Sequence, residues 1–168
     1  MKITIRRITL KNFDHFFDFF KKTVSSEFKE YSKGDLNYIF SRGWSKKRYV
    51  SWLKNKDRFI LGAFYKNKLV AVIDTEMPFL GVCFCSWLMV DKKLQNKGVG
   101  TKLLKELEKI MKKKGVHMML LYADKHNIPY YKKVGYKWVG NINKSWFGQD
   151  HHVFVKHIQK PKEKNYLK

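Results

Sequence analysis

The sequence predicts one α/β (α+β) domain built on a mixed, mostly antiparallel sheet of six to seven strands flanked by about four helices. Three observations carry this. Strand-like and amphipathic runs follow each other as β, α, α, β, β, β, α, β, α, β, β. The strand–helix–strand unit over residues 82–123 demands a right-handed crossover and locally parallel strands, whereas the short links elsewhere demand antiparallel ones. A chain of 168 residues, 44% hydrophobic, is long and apolar enough to bury one sizeable core.

Residues 2–9 alternate apolar and polar, as a half-buried strand does. Phe13, Phe16, Phe17, Phe20 and Val24 then fall at helical spacing and form a core-facing stripe. Residues 25–44 have no clean period but many aromatics, and read as a loop or short helical pieces. Ser45 is placed to cap a helix through about residue 54, with Tyr49, Val50, Trp52 and Leu53 towards the core. The runs RFILGAFY, KLVAVIDTEM and VCFCSWLMV read as strands, the first two joined by a hairpin through Lys66, Asn67 and Lys68.

Val99, Leu103, Leu104, Leu107, Ile110 and Met111 mark a second amphipathic helix that stops at Gly115 behind three lysines, where a helix end suits both glycine and positive charge. VHMMLLYA is apolar enough for a central strand. A short helix near 127–134 tolerates Pro129 in its first turn, and strands near 136–142 and 151–158 close the fold. The domain is expected to span 1–160, followed by a basic tail over 161–168.

Lysine and arginine number 36 against 14 acids, a formal charge of +22 that draws polyanions of any kind without naming one. No apolar run is long enough for a membrane span, and the N-terminus lacks the pattern of a signal peptide, so a cytoplasmic location with no membrane partner is expected. Cys83 and Cys85, two apart in a strand, read as small core residues rather than as a disulfide or redox pair. The six histidines show no metal-ligand spacing, and no metal is expected.

The segment Gln95-Asn96-Lys97-Gly98-Val99-Gly100 lies between a strand and a helix start. Glycine lets backbone approach a ligand, and the first N–H groups of a helix, at the positive end of its dipole, favour phosphate. The run LMVDKKLQNKGVGTKLL resembles motif A of the GNAT superfamily of acyl-CoA-dependent N-acyltransferases, with Gln95, Gly98 and Gly100 at its signature positions. ADKHNIPYYKKVGY resembles motif B, with Tyr130, Tyr131, Gly135 and Tyr136 in place. Asp124 and Asn127 depart from the Asn and Ala common there. The two motifs cover residues 82–136, about a third of the chain, in the order and on the elements that the family uses.

The resemblance implies an N-acetyltransferase moving an acetyl group from acetyl-CoA directly to a primary amine. Gln95, Asn96, Lys97, Gly98, Val99, Gly100 and Thr101 are then expected at the pyrophosphate. Leu88, Met89 and Val90 are expected beside the acyl-pantetheine, with a backbone N–H polarising the thioester carbonyl, and Asn127 and Tyr130 also at the cofactor. Tyr131 is the candidate proton donor to the departing sulfur. Glu76 and Asp74, two residues apart at a strand end, could each relay a proton through water, and Glu76 is the candidate base. Glu27 and Glu30, or Asp150 with His151 and His152, are further groups that could serve an amine.

The acceptor is left open between a small amine, a peptide N-terminus and a protein lysine, with residues 25–44 and 143–150 expected to shape its pocket. A monomer or homodimer is expected. A basic nucleic-acid- or ribosome-associated binding module, and a CoA-binding sensor, stand as readings without catalysis, because aromatics interleaved with lysine also suit single-stranded nucleic acid.

Overall fold

The computed structural model describes residues 1–167. Lys168, the last residue of the expected tail, lies outside the described residues. Seven strands hydrogen-bond in the order β1-β2-β3-β4-β5-β7-β6, where β1 is Thr4–Arg7, β2 Arg58–Tyr65, β3 Lys68–Glu76, β4 Val82–Val90, β5 Met118–Ala123, β6 Lys137–Ile142 and β7 His151–His157. Of the pairings, β4 with β5 is parallel, and β1 with β2, β5 with β7 and β6 with β7 are antiparallel. The helices are α1 Phe13–Glu27, α2 Lys33–Tyr38, α3 Lys46–Asn55, α4 Val99–Lys113, α5 Ile128–Lys133 and α6 Glu163–Tyr166. The chain forms two compact units, Met1–Thr75 with Trp87–Leu104, and Glu76–Ser86 with Lys105–Lys168; β4 and α4 each run through both.

In the first unit, the predicted phenylalanine stripe is the buried face of α1, and Phe16, Phe20 and Val24 are wholly enclosed. Tyr49, from α3, packs its ring against Phe13, Phe16, Phe17 and Phe20. Ser45 caps α3 by accepting from the Arg48 N–H at 3.4 Å. The hairpin between β2 and β3 turns on Lys66 and Asn67, both left-handed, which matches the twist of the flanking strands. Strand β1 is shorter and more exposed than the alternation predicts, as befits a strand at one edge of the order.

Residues 25–44 are more regular than expected. Helix α1 continues to Glu27, and α2 passes into a π-helical turn over Ile39–Gly43. The signal was present in Ser32-x-x-Asp35: the Ser32 hydroxyl accepts from the Asp35 N–H at 3.1 Å and the Asp35 carboxylate accepts from the Ser32 N–H at 2.8 Å.

In the second unit, β5 is buried on one face and half-buried on the other, not enclosed on both as its composition suggested. The expected tail is partly ordered: α6 brings the Asn165 backbone onto Gly115, whose φ of 86° and lack of a side chain allow that approach. Strand β6, at the other edge of the order, exposes Trp138, Val139 and Ile142 and carries a register shift between Trp138 and Gly140.

Candidate active site

The residues singled out from the sequence fall into two sets, one in each unit. In the first unit, β4 alternates, so Met89 is buried at 1% exposure while Leu88 and Val90 are half-buried. After Val90 the chain is pinned twice, by the Asp91 N–H donating to the Val70 carbonyl at 2.8 Å and by Gln95 Nε2 donating to the Val90 carbonyl at 3.2 Å. Gln95 therefore ties the loop to the end of β4. Its own N–H donates to the Asp91 carbonyl at 3.1 Å.

Open N–H groups begin one residue later. Asn96 and Gly98 have φ of 59° and 76°, and the first helical bond of α4 runs from the Lys102 N–H to the Gly98 carbonyl at 3.0 Å. Among the described residues, no N–H from Asn96 to Thr101 is engaged, as the start of a helix requires. A Cβ added at Gly98 would meet nothing within 4 Å, so the space in front of it is open. The first turn of α4 holds no acid, whereas Lys97 and Lys102 are exposed beside it. Val99 is buried and anchors the helix, and Gly100 and Thr101 are half-buried. Open N–H groups, a positive dipole end and lysines fit a pyrophosphate.

In the second unit, Tyr131 on α5 is 8% exposed and packs its ring on Tyr130 at 5.1 Å, Phe154 at 5.4 Å and Tyr136 at 5.8 Å. Burial, with smaller contributions from Cys85, Tyr130 and Asp124, pushes its phenol well above the usual tyrosine range. Cys83 and Cys85 are buried free thiols, as expected of core residues. Asn127 precedes α5 and its Nδ2 lies 3.1 Å from His126 Nε2. Tyr130 is half-buried next to it in the helix. Glu76 closes β3 and is exposed.

Asp74 is not the surface carboxylate that its spacing from Glu76 suggested. It is wholly buried, accepting from the Tyr49 hydroxyl at 2.8 Å and pairing with Arg58 at 3.4 Å. Thr75 is buried as well, and Glu76, on the face that alternation gives Asp74, is exposed, so alternation alone did not reveal that a carboxylate had entered the core. Sequence reasoning also missed the ion pair between Lys156 and Glu108, at 2.8 Å, in which Lys156 further donates to the Val134 carbonyl at 2.9 Å. No local signal links residues that far apart in the chain. The pair holds the end of α5, and with it Tyr131, against β7.

The model of the GNAT acetyltransferase family matches residues 18–136, which is most of the chain. The protein belongs to this family. Acetyl-CoA is the family's cosubstrate. An uncharacterised N-acetyltransferase of Methanocaldococcus jannaschii is 24% identical over 151 residues, covering 80% of this chain, which in turn spans 60% of that relative's length. The PaiA N-acetyltransferase of Thermoplasma acidophilum, solved with coenzyme A, superposes with a TM-score of 0.77 at 24% identity, covering 94% of this chain and 99% of its own. The ribosomal-protein-S18-alanine N-acetyltransferase of Escherichia coli gives 0.73 at 17% identity, with 96% and 97% covered. These structural likenesses confirm the GNAT fold, including the seven-stranded, mostly antiparallel sheet. Among the described residues, no helix is long and apolar enough to cross a membrane.

Proposed function

We propose that the protein is an N-acetyltransferase that moves an acetyl group from acetyl-CoA directly to a primary amine. The observation that carries this is the row of unengaged N–H groups from Asn96 to Thr101 at the head of α4, inside the segment that the family model matches. That match favours catalysis over a bare nucleic-acid module or a CoA sensor.

Acetyl-CoA supplies a thioester whose acetyl carbon is open to a neutral amine. Asn96, Lys97, Gly98, Val99, Gly100 and Thr101 hold its phosphates through backbone and lysine charge, with Gln95 keeping the loop in place. The backbone of Leu88, Met89 and Val90 borders the acyl arm and offers an N–H to the thioester carbonyl, and the family resemblance adds Asn127 and Tyr130 as cofactor residues.

Tyr131 donates a hydrogen bond to sulfur as its negative charge develops. Its raised pKa keeps the phenol protonated across the neutral range. The ordinary tyrosine value assumed from sequence gave full proton transfer; a phenol less acidic than that surrenders its proton less readily and stabilises the thiolate instead. Glu76, exposed at the end of β3, is available to pass a proton to water. Such an enzyme would work in the cytoplasm, alone or as a homodimer.

Calorimetry with acetyl-CoA tests the first half of this reading. Thiol release with benzylamine, a peptide bearing a free N-terminus and a peptide with an internal lysine tests the second and sorts the acceptor classes. Acetyl-CoA bound without thiol release from any of them leaves a sensor. No heat with acetyl-CoA removes the transferase reading altogether.

A further inference from the structure

The loop between β6 and β7 is built around one imidazole. The Ser145 N–H donates to the Gln149 carbonyl at 2.8 Å, the Gly148 N–H to the Ser145 carbonyl at 2.9 Å, and the Lys144 N–H to the Asp150 carboxylate at 2.8 Å. Phe147 and Gly148 take left-handed φ of 57° and 69° to make this closure. His151 Nδ1 then lies 2.6 Å from the Ser145 hydroxyl and 3.2 Å from the Gln149 carbonyl. The Ser145 hydroxyl can pair with Nδ1 in either tautomer, whereas a carbonyl only accepts, so the contact with Gln149 favours the ring protonated at Nδ1, the form in which Nε2 carries the lone pair.

Two aromatic rings stand beside this imidazole, and a third backs one of them. His151 meets the Trp146 ring edge-on at 5.7 Å and the Tyr122 ring at 6.4 Å, and Tyr122 continues to Phe84 at 5.0 Å. The strand register pairs Tyr122 with Val153, so by alternation Tyr122 and His151 share one face. That face is half-buried, and Trp146 is 53% exposed. Electron-rich ring faces beside an imidazole suit an alkylammonium group.

We infer that His151 is the base for the acceptor, its Nε2 taking a proton from the substrate ammonium while Ser145 and Gln149 hold the ring. This rests on the transferase reading. One N–H bond of the ammonium breaks and its proton goes to Nε2; the freed nitrogen pair forms the bond to the acetyl carbon; the C–S bond breaks with its pair on sulfur. The amide nitrogen sheds a second proton, which ends on sulfur, and His151 returns the first to water. The titratable group shown against the ring is Tyr122 from β5; Asp150, next to His151 in the chain, is engaged by the Lys144 N–H. From β6 the residue opposite is Ile142.

Two measurements decide it. Long-range nitrogen–proton NMR on the labelled protein is expected to show the neutral His151 ring protonated at Nδ1. With the best of the three acceptors above, His151→Gln is expected to lower kcat/KM about 100-fold and to remove the acid limb of its pH profile, with added imidazole restoring part of the rate of His151→Ala. Acetyl-CoA affinity by calorimetry stays at the wild-type value in both variants. A ring protonated at Nε2, or a His151→Gln enzyme with the wild-type pH profile, overturns the assignment. Loss of acetyl-CoA binding in the wild-type protein would instead sink the transferase reading, and this inference with it.

Discussion

The Tyr49 hydroxyl donates a 2.8 Å hydrogen bond to the Asp74 carboxylate inside the core of the first unit, with Arg58 beside it at 3.4 Å. An aromatic ring on α3 is thereby locked to a charge on β3. Tyr49→Phe keeps the ring packing and removes the donor from a wholly buried carboxylate. It should cost about 1.5–3 kcal/mol in urea unfolding, the usual worth of a hydrogen bond to a charged group.

Tyrosine burial sets the alkaline limit. Tyr49, Tyr131 and Tyr136 all have phenols raised above the ordinary value, chiefly by burial. The folded state then holds protons that the unfolded chain releases, so this stability is complete below about pH 10 and declines as pH rises beyond it. Tyr136 isolates the effect, since its hydroxyl is buried and has no hydrogen-bond partner. Tyr136→Phe should leave the melting temperature at neutral pH unchanged or higher and flatten its fall above about pH 10.

Tyr131→Phe should lower kcat by about two orders of magnitude with little change in acetyl-CoA affinity, because the hydroxyl acts on charge that develops only as the thioester breaks. An unaltered kcat would reduce Tyr131 to a packing residue. No falling limb near pH 10 should come from this phenol, since its own ionisation lies higher.

Two glycines with similar φ should respond differently to alanine. Each substitution forces a left-handed conformation at about 1–2 kcal/mol. At Gly115 the new methyl also meets the Asn165 backbone, so the melting temperature falls further. At Gly98 the methyl meets nothing and projects into the open space beside the N–H row, so the added loss appears in acetyl-CoA affinity by calorimetry.

Lys156→Met leaves the Glu108 carboxylate and the Val134 carbonyl without their donor. Side chains 24% and 15% exposed keep some contact with water, so the cost sits low in a range of about 1–3 kcal/mol. Since Lys156 steadies the end of α5, kcat should fall as well.

What the sequence revealed follows from how local each signal is. The stripe on α1, the Ser45 cap, the Lys66-Asn67 turn and the Gly98 loop are each written within a few residues, and all were legible. Strand order beyond nearest neighbours was not, because the placing of β7 between β5 and β6 depends on pairing across the chain. Within the site, the glycine loop and Tyr131 came from two short motifs. Enclosure of Asp74, the Lys156 anchor and the meeting of the His151 and Tyr122 rings required tertiary contacts, and the bonds by which Gln95 ties its loop to Val90 and Asp91 showed only in the folded loop.

Strand β6 ends the sheet with Trp138, Val139 and Ile142 uncovered. An open edge of this kind invites a second copy to add its own strand, and the kink near Gly140 is only a partial guard. The stronger guard is mutual repulsion between molecules that each carry +22. Concentrated salt or a bound polyanion weakens that repulsion, so conditions chosen to quiet the lysines are the ones in which this protein is set to clump.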